Sequence, residues 1–278
     1  MPSQRLKTIR VAKPWGRETL WPGFDNPEGE RIGEIWFQAP PGADPELMVK
    51  YLFTSERLSI QVHEDDASAL AAGHARGKDE AWIILAAEPD STIALGLTHE
   101  ATQDFLRAAA LDGSIETLVD WKPVAAGDVI YSPARTVHAI GAGLTLIEVQ
   151  QNVDLTYRLY DYGRPRELHL DAGIAVSDPV PFTRTTTPRT VAPRRSVLTE
   201  GGKFIVERWD WTGSRTVVLG SDRSGWLIPV LGGGLIDNAP YHAGECWLVE
   251  GRATIAPDPS GDLLFAYPGA APMAIFEA

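Results

Sequence analysis

The stretch Gly127–Arg166, GDVIYSPARTVHAIGAGLTLIEVQQNVDLTYRLYDYGRPR, decides the fold, because turn glycines, apolar strand residues and polar clusters alternate in it as in a small β-barrel with an occupied interior. Gly127-Asp128 is a turn signal, Val129-Ile130-Tyr131 is a strand closed by Ser132-Pro133, and Val137-His138-Ala139-Ile140 is a strand ended by Gly141 and Gly143. His138 therefore stands in a strand. Upstream, Leu58–His63 (LSIQVH) is another strand, whose period of two puts Gln61 and His63 on one face. A third, Glu80–Leu85 (EAWIIL), opens with a carboxylate just after Gly77-Lys78-Asp79. Two imidazoles, a carboxylate and an amide carbonyl can thus converge inside one barrel. Imidazole suits zinc, iron or nickel and the oxygens add harder ligands, so the set predicts a divalent cation, with zinc the first choice. A lone strand histidine is more often a hydrogen-bonded core residue. It is the combination of His63 with Gln61, Glu80 after Gly-Lys, and a distant His138 before a Gly-rich turn that points to a metal.

With 278 residues, 44% hydrophobic and 22% charged content, 26 Gly, 21 Pro and 9 Trp, the chain reads as a turn-rich globular β protein long enough for two domains. Its formal net charge of −12 opposes attraction to nucleic acid or anionic lipid, so neither is expected as a partner, and an anionic substrate has to be met by a local cluster of Arg and Lys. Met1–Leu20 has no apolar run of signal-peptide length and no later stretch is long enough to span a bilayer, so a cytoplasmic location is expected. The single Cys246 excludes an internal disulfide framework and a multi-thiolate zinc site, and reads as a buried, inert thiol.

Taken in order, Lys13-Pro14-Trp15-Gly16-Arg17 and Trp21-Pro22-Gly23 read as irregular structure over a barrel end, Ile32–Phe37 as the first clear strand, and Leu47–Phe53 as a nearly unbroken apolar strand covered on both faces. Lys50 interrupts that run, and fits either a solvated edge or an anion contact. Asp65 and Asp66 can cap a short helix that Gly73 ends, and the apolar spacing after Thr98 predicts two short helices as an insertion. The alternating polar residues Glu148, Gln150, Asn152, Asp154, Thr156 and Arg158 read as one face of a continuing strand. The Pro/Thr-rich segment SDPVPFTRTTTPRTVAPRRS reads as a linker, and the short apolar runs beyond it as a second, smaller β-barrel or sandwich with one histidine, His242, and no ligand set.

At SIQVHEDD (59–66), GKDEAWIIL (77–85), SPARTVHAIGAG (132–143) and EVQQNVDLTYRLYDYGRPRELHL (148–170), the chain resembles type I mannose-6-phosphate isomerases of the short bacterial kind, which are two-cupin proteins. The resemblance extends roughly over Lys13–Ser177. It implies a mainly β double cupin: residues 1–177 a metal-binding catalytic cupin with a helical insertion at about 98–121, residues 178–196 a linker, and residues 197–278 a smaller degenerate cupin. Carried over position by position, it makes His63, Glu80 and His138 zinc ligands with Gln61 completing the shell, one ion per chain, Arg158 the catalytic arginine, and Lys78 and Glu148 pocket residues that serve the substrate or a proton transfer. Lys50, Arg135 and Arg164 join them as candidate substrate contacts. Glu64 departs from the family where proline usually follows QVH, Ala81 departs within the usual E-[MW]-W-type run, and Arg135 departs where glycine is common, leaving open whether this arginine holds the phosphate or narrows substrate choice.

The implied reaction interconverts mannose 6-phosphate and fructose 6-phosphate through a cis-enediol(ate), with zinc as Lewis acid and Arg158 stabilising the developing charge or the phosphate. The base is Glu148, Lys78 or a metal-bound water on this reading. Two rivals stand beside it: a non-catalytic cupin that binds a metal and a sugar phosphate, and a cupin dioxygenase, which two His and a carboxylate also suit but which has no use for Lys78, Arg158 and Arg164 near the metal.

Overall fold

In the computed structural model, which describes residues 3–185, 187–221 and 223–277, the alternation of Gly127–Arg166 resolves into strands of two different sheets. Val129–Ser132 and Leu144–Gln151 join Lys7–Arg17, Ile32–Gln38, Leu47–Phe53 and Glu80–Ala87 in a six-stranded sheet. His138–Ile140 and Tyr157–Tyr160 join Ile60–Val62, Thr92–Leu97 and Val119–Pro123 in a five-stranded sheet. The protein is mainly β, 46% strand and 10% helix, and its sheets are open. In place of a closed barrel, two sheets face each other, because the strands at the ends of each sheet do not pair with one another. Trp15, Leu52, Trp82, Ile84 and Leu146 of one half of this sandwich meet Ile93, Leu95 and Ile140 of the other.

Two more sheets follow. Ser3–Arg5 pairs with Trp247–Glu250 at the edge of a seven-stranded sheet, otherwise built from strands after residue 188, and Arg215–Val218, Arg252–Pro257, Gly233–Ile236 and Ala239–His242 form a four-stranded one. Core contacts give the order of the layers. Val49, Tyr51, Ile147 and Val149 on the back of the six-stranded sheet pack on Val206, Trp226, Ile228 and Leu264 of the seven-stranded sheet, and Leu227, Val249 and Phe265 on its other face pack on Ile236, Tyr241 and Ile255. Helices cover the outer face of the five-stranded sheet through Leu106, Ala110, Ile115 and Ile174. The six-stranded sheet is therefore internal. This is why Leu47–Phe53 reads as an apolar run without alternation.

The short helices are set by local chemistry. Asp65 accepts from the Ser68 amide at 2.8 Å to cap Asp66–Ala71, and Thr102 accepts from the Phe105 amide at 3.1 Å to cap Gln103–Asp112. Gly113 ends the latter with a left-handed φ of 85°, and Ile115–Leu118 follows.

Several expectations are corrected. Lys13–Arg17, expected as irregular, closes the longer strand Lys7–Arg17, whose pairing with Ile32–Gln38 breaks between Ala12 and Arg17, so the irregularity lies inside a strand. The expected linker contains Arg189–Ala192 and begins Arg195–Glu200, a hairpin at the sheet edge where proline is tolerated, although Thr186 lies outside the described residues. The polar track is broken: Glu148 and Gln150 end a strand of the six-stranded sheet, Asn152–Thr156 turns across, and Arg158 stands in the five-stranded sheet. Leu170–Val176 is a helix that the sequence reading did not include. Cys246 is buried, and burial pushes its thiol well above the usual range. Among the described residues no helix is long and apolar enough to cross a membrane.

Since Trp226 is 1% exposed and sits where the six- and seven-stranded sheets share a core, Trp226→Ala is expected to cost about 3–5 kcal/mol in urea unfolding. A loss below about 1 kcal/mol, the scale of a surface substitution, would show that the two sheets do not depend on that contact.

Candidate metal and substrate site

Register places the polar side chains in two facing rows. In the six-stranded sheet Trp36 pairs with Lys50, Lys50 with Glu148, and Glu148 with Trp82. In the five-stranded sheet Arg158 pairs with Gln61 and Gln61 with His138. Residues directly opposite on neighbouring strands share a face, so each row presents its side chains together. The Lys50 ammonium lies 4.7 Å from the Trp36 ring centroid and 3.3 Å from Glu148 Oε1, and Trp82 Nε1 donates to Glu148 Oε2 at 3.3 Å.

Behind these rows His63, Glu80 and His138 form the candidate metal cluster, with their ligand atoms within 4.8 Å of one another. His63 Nε2 is 3.1 Å from Glu80 Oε1 and His138 Nε2 is 3.6 Å from Glu80 Oε2. All three side chains are 1% exposed. His138 Nδ1 donates to the Thr136 carbonyl at 2.9 Å, which fixes the tautomer and turns the Nε2 lone pair toward the cluster. Among the described residues neither ring nitrogen of His63 and neither oxygen of Glu80 makes a well-directed hydrogen bond, although Glu80 Oε1 lies 2.9 Å from the Lys78 ammonium and 3.1 Å from His63 Nε2. Buried donors and acceptors left so poorly satisfied are costly, and a divalent cation is the partner their chemistry fits. The Gln61 side-chain amide is 3.3 Å from His138 Nε2 and accepts from Ser59 Oγ at 3.1 Å. An amide turn would offer its oxygen to the same point.

The electrostatics suit ligation. Burial and the nearby Lys78 push the His63 imidazole down to about 3, and burial lowers His138 as well, so both rings are neutral donors. Burial alone would raise Glu80, but Lys78, at 2.9 Å, and the two imidazoles outweigh it and hold the carboxylate well below its usual range. Burial likewise opposes the charge on Lys78, yet Glu80 and Glu148 keep its ammonium above the ordinary value. Glu148 moves the other way: burial and the charge of Glu80 raise it.

Gln61 and Lys78 connect the cluster to a cavity of about 260 Å³ that is also lined by Lys50, Glu148 and Arg158. Its lining carries five cationic side chains, Lys13, Lys50, Lys78, Arg158 and Arg166, against Glu34, Glu148 and Asp154. In an acidic protein this is a local site for an anion. The Arg158 guanidinium donates from Nη1 to the Glu167 carbonyl at 2.7 Å and keeps a buried Nε without a partner among the described residues. Trp15, Ser59, Thr156 and Arg166 also line the cavity and were not singled out from sequence as site residues; an i, i+2 step from Gln61 would have found Ser59. A larger groove of about 530 Å³ lies elsewhere, between Arg76, Asp66, Lys203 and Pro268, and lacks the cluster.

Two expected substrate contacts are not brought to the cavity. Arg135 has a φ of 71°, the left-handed conformation that explains a preference for glycine at this position. Its side chain turns to Asp178 at 2.7 Å and Asp65 at 3.8 Å. Arg164 is engaged by Asp161, by Glu56 and by the Arg57 carbonyl. Glu64, where proline is usual, accepts from Tyr157 Oη at 2.7 Å, beside Arg158.

No family model matches the chain. It is 36% identical over 178 residues to mannose-6-phosphate isomerase of Streptococcus mutans, covering 60% of this chain and 55% of that protein. It is 30% identical over 219 residues to the probable mannose-6-phosphate isomerase GmuF of Bacillus subtilis, covering 71% of this chain and 69% of that protein. The chain thus spans about half the length of the first of these relatives. In three dimensions it matches the mannose 6-phosphate isomerase of Bacillus subtilis with a TM-score of 0.82 at 24% identity, over 96% of this chain and 99% of that one. A zinc-bound mannose 6-phosphate isomerase matches with a TM-score of 0.72 at 14% identity, over 97% of this chain and 100% of that one.

Because His63 is held far below the usual histidine value of about 6.5, its contribution to the stability of the metal-free protein is complete above that pH and is lost as pH falls toward about 3. With chelator present, the urea midpoint is expected to drop between pH 7 and pH 5, and His63→Gln, which cannot titrate, to drop by less. An equal drop in both would contradict the buried neutral imidazole.

Proposed function

The chain belongs to the mannose-6-phosphate isomerase family, and we propose that it is a zinc-dependent aldose–ketose isomerase interconverting mannose 6-phosphate and fructose 6-phosphate. The observation that carries the reading is a buried His63–Glu80–His138 cluster that reaches, through Gln61 and Lys78, a cavity with an excess of positive side chains. An oxygen-using site has no need of those cations; a phosphosugar does. We further read the chain as a double cupin, divided at residues 178–196, with one zinc per chain in the first half. The two facing pairs of sheets support that division.

His63, Glu80 and His138, with Gln61 beside them, would hold the zinc, which when bound would supply Lewis-acid polarisation of the substrate's oxygens. The remaining work falls to the chain. Interconversion carries one proton from C2 to C1 and one from O2 to O1 by way of a cis-enediolate, and a single group that accepts at C2 and donates at C1 can serve the carbon transfer on one face of the sugar. Glu148 suits this role: it lines the cavity, and burial beside Glu80 raises its affinity for a proton toward the working range. Lys78 is a poor base because its neighbours keep it protonated, and acts as a fixed cation. Lys50, paired with Glu148 at 3.3 Å, keeps the carboxylate placed and adds positive charge to the same wall. Arg158 cannot give up its proton at neutral pH, and with Nε unpartnered it can donate to developing negative charge.

His138→Ala is expected to lose most bound metal at neutral pH, since one of three strong ligands is gone; full occupancy would remove the site from the account. Arg158→Lys keeps the charge and loses the planar fork. If Arg158 acts on the transition state, this variant keeps its fold and metal while kcat for mannose 6-phosphate falls by roughly 100-fold with KM changed much less. Wild-type kcat and KM together would show that Arg158 is not part of the chemistry.

A further inference from the structure

Lys78 and Glu80 both sit in the site, and the residue between them does not. Asp79 is 6% exposed and turns away from the cavity, where every one of its polar groups has a partner. Its Oδ1 accepts from the Ala134 amide at 3.0 Å and its Oδ2 from Tyr131 Oη at 2.5 Å. Its amide donates to Gln151 Oε1 at 3.0 Å, and its carbonyl accepts from the Gln151 amide at 3.1 Å. From Gln151 the chain of bonds continues: Nε2 donates to Asp66 Oδ1 at 2.9 Å, the same oxygen accepts from the Gly77 amide at 2.8 Å, and Asp66 Oδ2 takes the ammonium of Lys203. Lys203 belongs to the C-terminal half. So does the second support, since Phe204 packs on the Tyr131 ring with centroids 5.5 Å apart. Gly201 lies so close that a Cβ there would meet the ring at 1.6 Å, so only glycine allows this approach.

We propose that the C-terminal segment Gly201–Phe204 is a clamp, and that Lys203 and Tyr131 are positioning residues which hold Gly77–Glu80 through two hydrogen-bonded chains meeting at Asp79. The segment held in this way carries the Lys78 ammonium and the Glu80 carboxylate, so the half of the chain that contributes no ligand to the cluster fixes two groups of the site. Supports of this kind orient metal ligands, and their loss is worth roughly 10- to 100-fold in metal affinity. The functional part of the proposal rests on the metal site proposed above; the mechanical part does not.

The test uses the full chain with three variants: Tyr131→Phe, which keeps the ring, Lys203→Met, and Arg252→Met, which removes a remote exposed ion pair with Glu277. In metal-free protein, hydrogen exchange at the Gly77, Lys78 and Asp79 amides is expected to rise about tenfold in Tyr131→Phe and in Lys203→Met, the equivalent of one hydrogen bond to a charged group. Exchange in Thr92–Leu97 should stay as in wild type, Arg252→Met should be silent throughout, and Lys203→Arg should restore protection. Zinc titration of the same proteins should show about tenfold weaker binding in the first two variants. Unchanged exchange at Gly77–Asp79 in both would overturn the clamp. Faster exchange with unchanged zinc affinity would overturn its role in the site, and a wild-type chain that binds no zinc would overturn the metal reading while leaving the clamp to the exchange result.

Discussion

Two lysines and two glutamates lie between the facing sheets, each no more than 5% exposed: Lys50, Lys78, Glu80 and Glu148. An ion taken from water into such a place costs several kcal/mol unless an opposite charge meets it in good geometry. The fold meets this constraint by register. Lys50 and Glu148 are direct partners across neighbouring strands, and Lys78 reaches Glu80 from two residues away. The proton affinities diverge with the surroundings: Lys78 and the two imidazoles overcome burial to lower Glu80, whereas burial and the charge of Glu80 raise Glu148 despite Lys50, so that two neighbouring carboxylates suit different tasks. Holding such a network needs rigid surroundings. The six-stranded sheet that carries three of the four charges is packed on both faces, by the aromatic and aliphatic side chains of its partner sheet and by the core it shares with the C-terminal half.

The positive excess of the cavity is local. A chain of net charge −12 offers an anion little attraction at a distance, and the cationic lining makes this cavity the place where the proposed phosphosugar would be met. Arginine and lysine are used differently here. Lys50 and Lys78 are buried partners of carboxylates, whereas Arg158 is anchored by one backbone carbonyl and leaves a donor free.

Much of this was legible in the sequence where a short-range rule applied. A period of two joined Gln61 to His63, capping chemistry placed the helix after Asp65, and the apolar run Leu47–Phe53 announced a sheet covered on both sides. What was hidden depends on partners distant in the chain. The strands of Ile60–Val62 and His138–Ile140 are three residues long, too short for periodicity to say which sheet they enter. The polar track from Glu148 to Arg158 alternates across a turn, and its two ends reach one cavity from opposite sheets. Arg135 and Arg164 carry the right charge for a substrate contact, and only the carboxylates of Asp178 and Asp161 in space show where that charge is spent. The C-terminal half, without a ligand set, reads as support from sequence alone. That it reaches Asp79 through Lys203 and Tyr131 follows only from tertiary contacts.

The most direct test of isomerase chemistry at this cavity is NMR of mannose 6-phosphate incubated with zinc-reconstituted protein. Fructose 6-phosphate should appear, run to equilibrium from either sugar, and stop appearing when the metal is chelated. Saturable binding of mannose 6-phosphate by fully metallated protein, with no fructose 6-phosphate formed, would contradict the account and leave a sugar-phosphate-binding protein in its place.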